Sequence, residues 1–125
     1  MAEPERKRIL VVDDEPSVCD VYRDLLEAHG YQVDVAHGGR GAYRNSIETH
    51  YDLVHMDLRM PDWDGIDTTV AMSLVNPGLP VLVVSGILTE DLRKELEGCG
   101  NVRDVMAKPT NPEEYLATVK RLVGD

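Results

Sequence analysis

Three short runs constrain the fold more than any other feature: Ile9-Leu10-Val11-Val12, Leu53-Val54-His55-Met56 and Val81-Leu82-Val83-Val84. Each is almost unbroken in apolar, mostly β-branched or long aliphatic side chains. A strand that is apolar on both sides must be covered on both sides, and strands of a parallel sheet sandwiched between helices meet that demand. The strand candidates containing these runs, Ile9 to Asp13, Leu53 to Asp57 and Pro80 to Ser85, are therefore expected at the sheet centre. Gln32 to Ala36 and Val102 to Met106 complete a set of five.

Segments with helical spacing separate the strands, as crossover helices between parallel strands require. The first follows Pro16, which suits an opening turn, with Val18, Val21, Tyr22, Leu25 and Leu26 as its inner face and Gly30 as its stop. The second spans about Arg40 to Thr49 and offers Ala42, Tyr43 and Ile47 as a face. The third spans about Ile66 to Val75, with Ile66, Val70, Ala71 and Leu74 inward and Pro77-Gly78 as its end. The fourth takes Thr89 as N-cap and presents Leu92 and Leu96 before Gly98. The fifth has Asn111 as N-cap, Pro112 at its first position, Glu114 in a capping-box position, and Lys120 and Arg121 near its end. The predicted architecture is an α/β doubly wound parallel sheet of five strands, with helices on both faces. In such sheets ligands sit beyond the carboxyl ends of the strands, where strand order reverses.

The 125 residues and the 42% hydrophobic share fit a single domain over 1–125, with residues 1–7 as a flexible flank and no effector domain. No apolar run approaches the ~20 residues that span a bilayer, and the start lacks a signal-peptide core, so a cytoplasmic protein without membrane contact is expected. A net charge of −10 repels nucleic acid phosphates, and with no Phe and one Trp there is no stacking platform either. Cys19 and Cys99 are read as two separate thiols, since neither has metal or redox spacing to the other.

The strand ends carry the chemistry. Asp13 and Asp14 follow the first strand, Asp57 ends the third, Ser85 ends the fourth and Lys108 lies just past the fifth. Carboxylates gathered this closely raise one another's pKa unless a cation is present, and a set of hard oxygen ligands favours Mg²⁺. His55, inside the third strand, is expected to be a buried imidazole satisfied by a neighbour, because no other histidine stands at ligand spacing from it.

Four segments together, Val11-Val12-Asp13-Asp14-Glu15-Pro16, Met56 to Gly65, Val84-Ser85-Gly86 and Lys108-Pro109, resemble the signature segments of response-regulator receiver domains of two-component signalling systems. The resemblance covers essentially the whole chain and implies a flavodoxin-like (βα)₅ fold with strand order 2-1-3-4-5. It implies that Asp57 is the phosphoacceptor, attacking a phosphohistidine of a sensor histidine kinase or histidine phosphotransfer protein. By the same resemblance Asp14 is a direct Mg²⁺ ligand, Asp13 acts largely through water, and the Arg59 main-chain carbonyl joins Asp57 in the metal shell. Ser85 and Lys108 would bind the phosphoryl group, and a cis peptide bond would precede Pro109. The fourth helix, fifth strand and fifth helix would form the output face, which many relatives use for dimerisation, so a homodimer through that face is one partner the resemblance allows. A regulatory domain rather than an enzyme is implied, catalysing only its own phosphorylation and dephosphorylation.

The match departs from the family at Val105, where many receivers carry Tyr or Phe. Switching is therefore expected to rely on backbone shifts around Ser85 to Thr89 instead of an aromatic rotamer. By the same resemblance, Arg59 and Ile87 occupy positions that in the family border the path of the hydrolytic water, and they are expected to tune phosphoryl lifetime. Trp63, in the loop after Asp57, is a candidate cover and a natural fluorescence reporter. Three rival functions are weaker. A haloacid-dehalogenase-type Mg²⁺ phosphohydrolase would need a second aspartate two places after Asp13, where Glu15 stands. A phosphorylation-independent interaction module has no need of the complete set of acids, hydroxyl and amine. Flavin binding is opposed by the acidic segment after the first strand, where a flavin phosphate would need donors.

Overall fold

The computed structural model describes residues 6–124. Its strands are β1 (Arg8–Val12), β2 (Gln32–Ala36), β3 (Leu53–Met56), β4 (Val81–Ser85) and β5 (Val102–Ala107). Its helices are α1 (Pro16–Ala28), α2 (Gly39–Glu48), α3 (Gly65–Val75), α4 (Glu90–Glu97) and α5 (Pro112–Val123). All strand pairings are parallel, in the order β2-β1-β3-β4-β5, so the direction of winding reverses between β1 and β3. Of the expected flank, residues 1–5 lie outside the described residues, while the Lys7 carbonyl already accepts the Gln32 N–H. Among the described residues no helix is long and apolar enough to cross a membrane.

The continuous apolar runs are explained by two cores, one on each side of the sheet. Leu10, Val12, Val54, Met56, Val81 and Val83 point to the side covered by α2, α3 and α4. Ile9, Val11, Leu53, Leu82 and Val84 point to the side covered by α1 and α5, where they meet Cys19, Leu26, Tyr115 and Val119. Alternate residues of one strand thus fill opposite cores.

The helix boundaries agree with the sequence to within a residue or two, and the local chemistry shows why. Thr89 Oγ1 accepts the Leu92 N–H, and Asn111 Oδ1 accepts the N–H groups of Glu113 and Glu114. Asp64, which the sequence did not mark as a cap, accepts the Asp67 N–H and starts α3. The expected inner faces need correction at three helices. On α1 Val21 is exposed, with Cys19, Tyr22 and Leu26 buried; on α2 Ile47 is exposed, with Ala42 and Ser46 buried. On α3 Val70 and Leu74 face outward, while Thr68, Thr69 and Met72 are buried, Thr68 against Gly39 of α2. The α3 threonines can be buried because their hydroxyls donate to the Asp64 and Gly65 carbonyls one turn back. With their polar atoms satisfied within the helix, their methyl groups pack as small hydrophobes.

Candidate functional site

Parallel strands of matched length bring their carboxyl ends to one edge, and the predicted polar residues assemble there. Asp13 follows β1, with its N–H donating to the Ala36 carbonyl, and Asp57 follows β3, with its N–H donating to the Val12 carbonyl. Asp13 and Asp57 are buried while Asp14 is exposed, and one carboxylate oxygen from each of the three lies within 4.8 Å of the others. Lys108 reaches them from beyond β5, its Nζ 2.6 Å from Asp13 Oδ2 and 3.3 Å from Asp57 Oδ2. The Lys108–Pro109 peptide bond is cis, and the Lys108 N–H donates to the Ser85 carbonyl.

The electrostatics divide the two buried acids. Burial acts on Asp13 most strongly and would raise its pKa, but the Lys108 bond, the Glu15 N–H and the Lys108 charge together hold it below the usual carboxylate value. For Asp57 burial again comes first, and with the neighbouring Asp13 charge it outweighs Lys108 and leaves the carboxyl raised. Lys108 is held above its ordinary value: burial would lower it, but both carboxylates favour its charged form. Asp57 is thus an acid short of positive charge beside an open, oxygen-rich corner. Three hard oxygen donors this close, one of them exposed, fit a small divalent cation such as Mg²⁺.

Of the other predicted residues, Ser85 is buried, and its hydroxyl is engaged with its own loop, 3.3 Å from the Ile87 N–H and 3.4 Å from the Ile87 carbonyl. Arg59 directs its N–H toward Asp57 Oδ1 at 3.5 Å. Arg59, Ser85 and Ile87 line one cavity of about 330 Å³ together with Leu58, Ile66, Leu92 and the acids Asp64 and Glu95. Val105 is half-buried and packs against the α2–α4 core. Trp63 is half-buried with its ring 5.7 Å from that of Tyr43. His55 is fully buried, and its Nδ1 lies 2.7 Å from the Tyr115 hydroxyl. Its Nε2, however, has no hydrogen-bond partner among the described residues, so the expected satisfaction is only half met. Cys19 and Cys99 are separate free thiols.

Two supports of the site were missed in the sequence. A Cβ on Gly65 would press on the Asp57 carbonyl and stand 2.7 Å from Leu58 Cα, so only glycine lets α3 approach the Asp57 backbone this closely. Asp62 accepts the N–H groups of Gly39 and Arg40, tying the loop after Asp57 to the start of α2. The Asp64-Gly65 pair could have signalled the first; the second joins residues far apart in the chain and leaves no local mark.

Comparison with known proteins gives the family and the fold. A family model described as the response regulator receiver domain matches residues 9–120. The transcriptional regulatory protein ZraR of Escherichia coli K12 is 35% identical over 116 residues, 93% of this chain and 26% of that protein. ResD of Bacillus subtilis is 32% identical over 123 residues, 98% of this chain and 50% of that protein. The chain therefore spans from about a quarter to half of the length of these curated relatives. Among solved structures, the chemotaxis protein CheY4 of Vibrio cholerae superposes with a TM-score of 0.89 at 26% identity, over 94% of this chain and 99% of that one. The response regulator TrrA of Thermotoga maritima, solved in complex with Mg²⁺-BeF, gives 0.83 at 28% identity, over 93% and 98% of the two chains.

Proposed function

This chain belongs to the response regulator receiver domain family, and from that premise we propose that Asp57 accepts the phosphoryl group while Asp13, Asp14, Ser85 and Lys108 bind the reacting atoms and report the transfer. Receiver domains are regulatory domains phosphorylated by histidine kinases. The observation that carries the residue assignment is the triangle of Asp13, Asp57 and Lys108 at one sheet edge, with Asp14 beside it. The phosphohydrolase alternative, which places its nucleophile after the first strand, gives way to the family assignment.

Asp57 Oδ attacks the phosphorus of a phosphohistidine; the O–P bond forms, the N–P bond breaks, and the electron pair leaves on the imidazole nitrogen. Mg²⁺, held by Asp13, Asp14, Asp57 and the Arg59 carbonyl, would supply positive charge to the attacking carboxylate and the equatorial oxygens. Lys108 stands on the other side and can turn its ammonium from the carboxylates to a phosphoryl oxygen. Its Nζ already lies against both buried carboxylates, so that movement is short. Ser85 is the residue that must move, because its hydroxyl is turned to Ile87. Once it rotates toward the new acceptor, the Ile87 contacts break and the segment Ser85 to Thr89 takes a second arrangement. Val105 has no ring to follow that motion, so the signal passes through the backbone toward α4, β5 and α5. Arg59 and Ile87, at the mouth of the cavity beside Ser85, restrict the water that would hydrolyse the acyl phosphate.

The donor's approach also has a surface. Val18, Val21, Leu25, Pro109 and Pro112 form a largely apolar hollow of about 560 Å³ with Lys108 at its rim. A histidine-bearing helix of a kinase or phosphotransfer protein would seat its apolar stripe there with the phosphohistidine over Asp57.

The test is incubation with acetyl phosphate and Mg²⁺ followed by intact mass. The wild type should gain one acid-labile phosphoryl group and Asp57→Asn none. Phosphorylation of Asp57→Asn to the wild-type extent would overturn the assignment.

A further inference from the structure

The outer face of α2 and α3 is unlike the rest of the surface. Leu74 is 82% exposed and Ile47 56%, with Val70 and Val75 of α3 at 44% and 49%. Apolar side chains this exposed are ordinary when scattered but informative when contiguous. Here Ile47 of α2 and Val75 of α3 line one groove where the two helices pack together, and Val70 and Leu74 stand one turn apart on the same side of α3. Their starts are tied by Asp62 holding the Gly39 and Arg40 N–H groups, and their ends share a groove of about 300 Å³ lined by Ile47, Val75 and Asn76.

Charge on this face is arranged along the helices. The exposed side of α2 begins with Arg40 and Arg44, and that of α3 begins with Asp67. No charged residue occurs from Thr68 to Thr89. In a chain of net charge −10, most pairs of surfaces from two copies repel each other. A two-fold axis parallel to these helices, lying between them in the contact plane, removes that repulsion. It lays α2 of one copy over α3 of the other in the same direction, with Arg40 and Arg44 opposite Asp67 and Ile47 opposite Leu74. The same contact occurs twice, as an isologous interface demands. The Leu74 side chain is then the knob and the groove beside Ile47 and Val75 the hole. The acid nearest the apolar end, Glu48, stands at the groove's rim, and Asp62 is already occupied by three backbone N–H groups.

We infer that this face binds a second copy of the chain, pairing α2 with α3 in both directions. Helices of 10 and 11 residues present a footprint below the roughly 800 Å² per partner of stable complexes. The dimer is accordingly weak and forms toward the high-micromolar range. It is distinct from any contact through α4, β5 and α5.

Sedimentation equilibrium from about 10 µM to about 1 mM tests it, with circular dichroism melts as the folding control. Leu74, Arg44 and Asp67 are exposed, so their variants should fold as the wild type does. The wild type should show concentration-dependent dimer. Leu74→Glu should raise the dissociation constant at least tenfold and Arg44→Asp several-fold, and Arg44→Asp combined with Asp67→Arg should restore it. A wild type that stays monomeric throughout would overturn the inference. So would dimer that survives Leu74→Glu but is lost in Arg103→Glu on β5, or a double variant no tighter than Arg44→Asp alone.

Discussion

Lowering the pH from about 7.5 to about 5 should cost this protein about 2 kcal/mol of stability through His55 alone. The imidazole is fully buried, its ring 4.4 Å from that of Tyr22 and 5.5 Å from that of Tyr115, and its Nε2 has no polar partner. Burial first, and the Lys108 charge second, push its pKa from 6.5 down to about 3 against a smaller opposing pull from Asp13. Above about pH 6.5 neither folded nor unfolded chain protonates this ring, and the contribution vanishes. Below it the unfolded chain binds a proton that the folded chain refuses, so stability falls as pH falls, down to about pH 3. At about 1.36 kcal/mol per pH unit, a drop of about 1.5 units below the unfolded pKa gives the stated 2 kcal/mol. Urea unfolding of wild type and His55→Met across this range isolates the effect, because the remaining histidines and carboxylates are common to both proteins. His55→Met should start less stable, since Tyr115 loses its partner, and the gap should close by about 2 kcal/mol on acidification. A gap that stays constant between about pH 7.5 and about 5 would mean that the folded protein takes up the proton as readily as the unfolded chain, and the burial argument would fail.

Gly65→Ala should cost about 1–3 kcal/mol in urea unfolding and slow phosphorylation, because the new methyl meets the Asp57 and Leu58 backbone; an unchanged midpoint would refute the close approach. Mg²⁺ at a hundred times its dissociation constant should add about 2.7 kcal/mol in a thermal or urea assay. That gain should be largely lost in Asp14→Asn, and if it persists there the cation binds elsewhere. Ile87→Ala should shorten the lifetime of the phosphorylated form after the donor is removed; a lifetime equal to or longer than that of the wild type would show that Ile87 does not restrict water.

The gathering of polar residues at one sheet edge was legible in the sequence because strand ends are easy to find. Asp13, Asp57, Ser85 and Lys108 each close or follow an apolar run, and Thr89, Asn111 and Pro112 announce their helices by capping geometry. The inner face of α3 was not legible. Val70, Ala71, Leu74 and Val75 are as apolar as anything in the core, so periodicity had no polar side to measure against. What turned the helix was the contact of Gly65 with the Asp57 and Leu58 backbone, a constraint between segments rather than within one.

The spacing inside the site has a similar origin. Lys108 Nζ meets Asp13 across 95 residues of chain, and the distance is set by strand register. Val81 pairs with Val102 but Leu82 pairs with Asp104, so β5 carries one extra residue, Arg103, and Ser85 comes to lie opposite Ala107. Without that irregularity Ser85 would face Met106, the Lys108 N–H would miss the Ser85 carbonyl, and every β5 side chain beyond the slip would exchange faces of the sheet. Val102-Arg103-Asp104-Val105 contains no glycine or proline to mark a bulge. The ammonium that completes the site is therefore placed by a backbone irregularity with no residue signature, and deleting Arg103 should disable phosphorylation while leaving every reactive side chain in the chain.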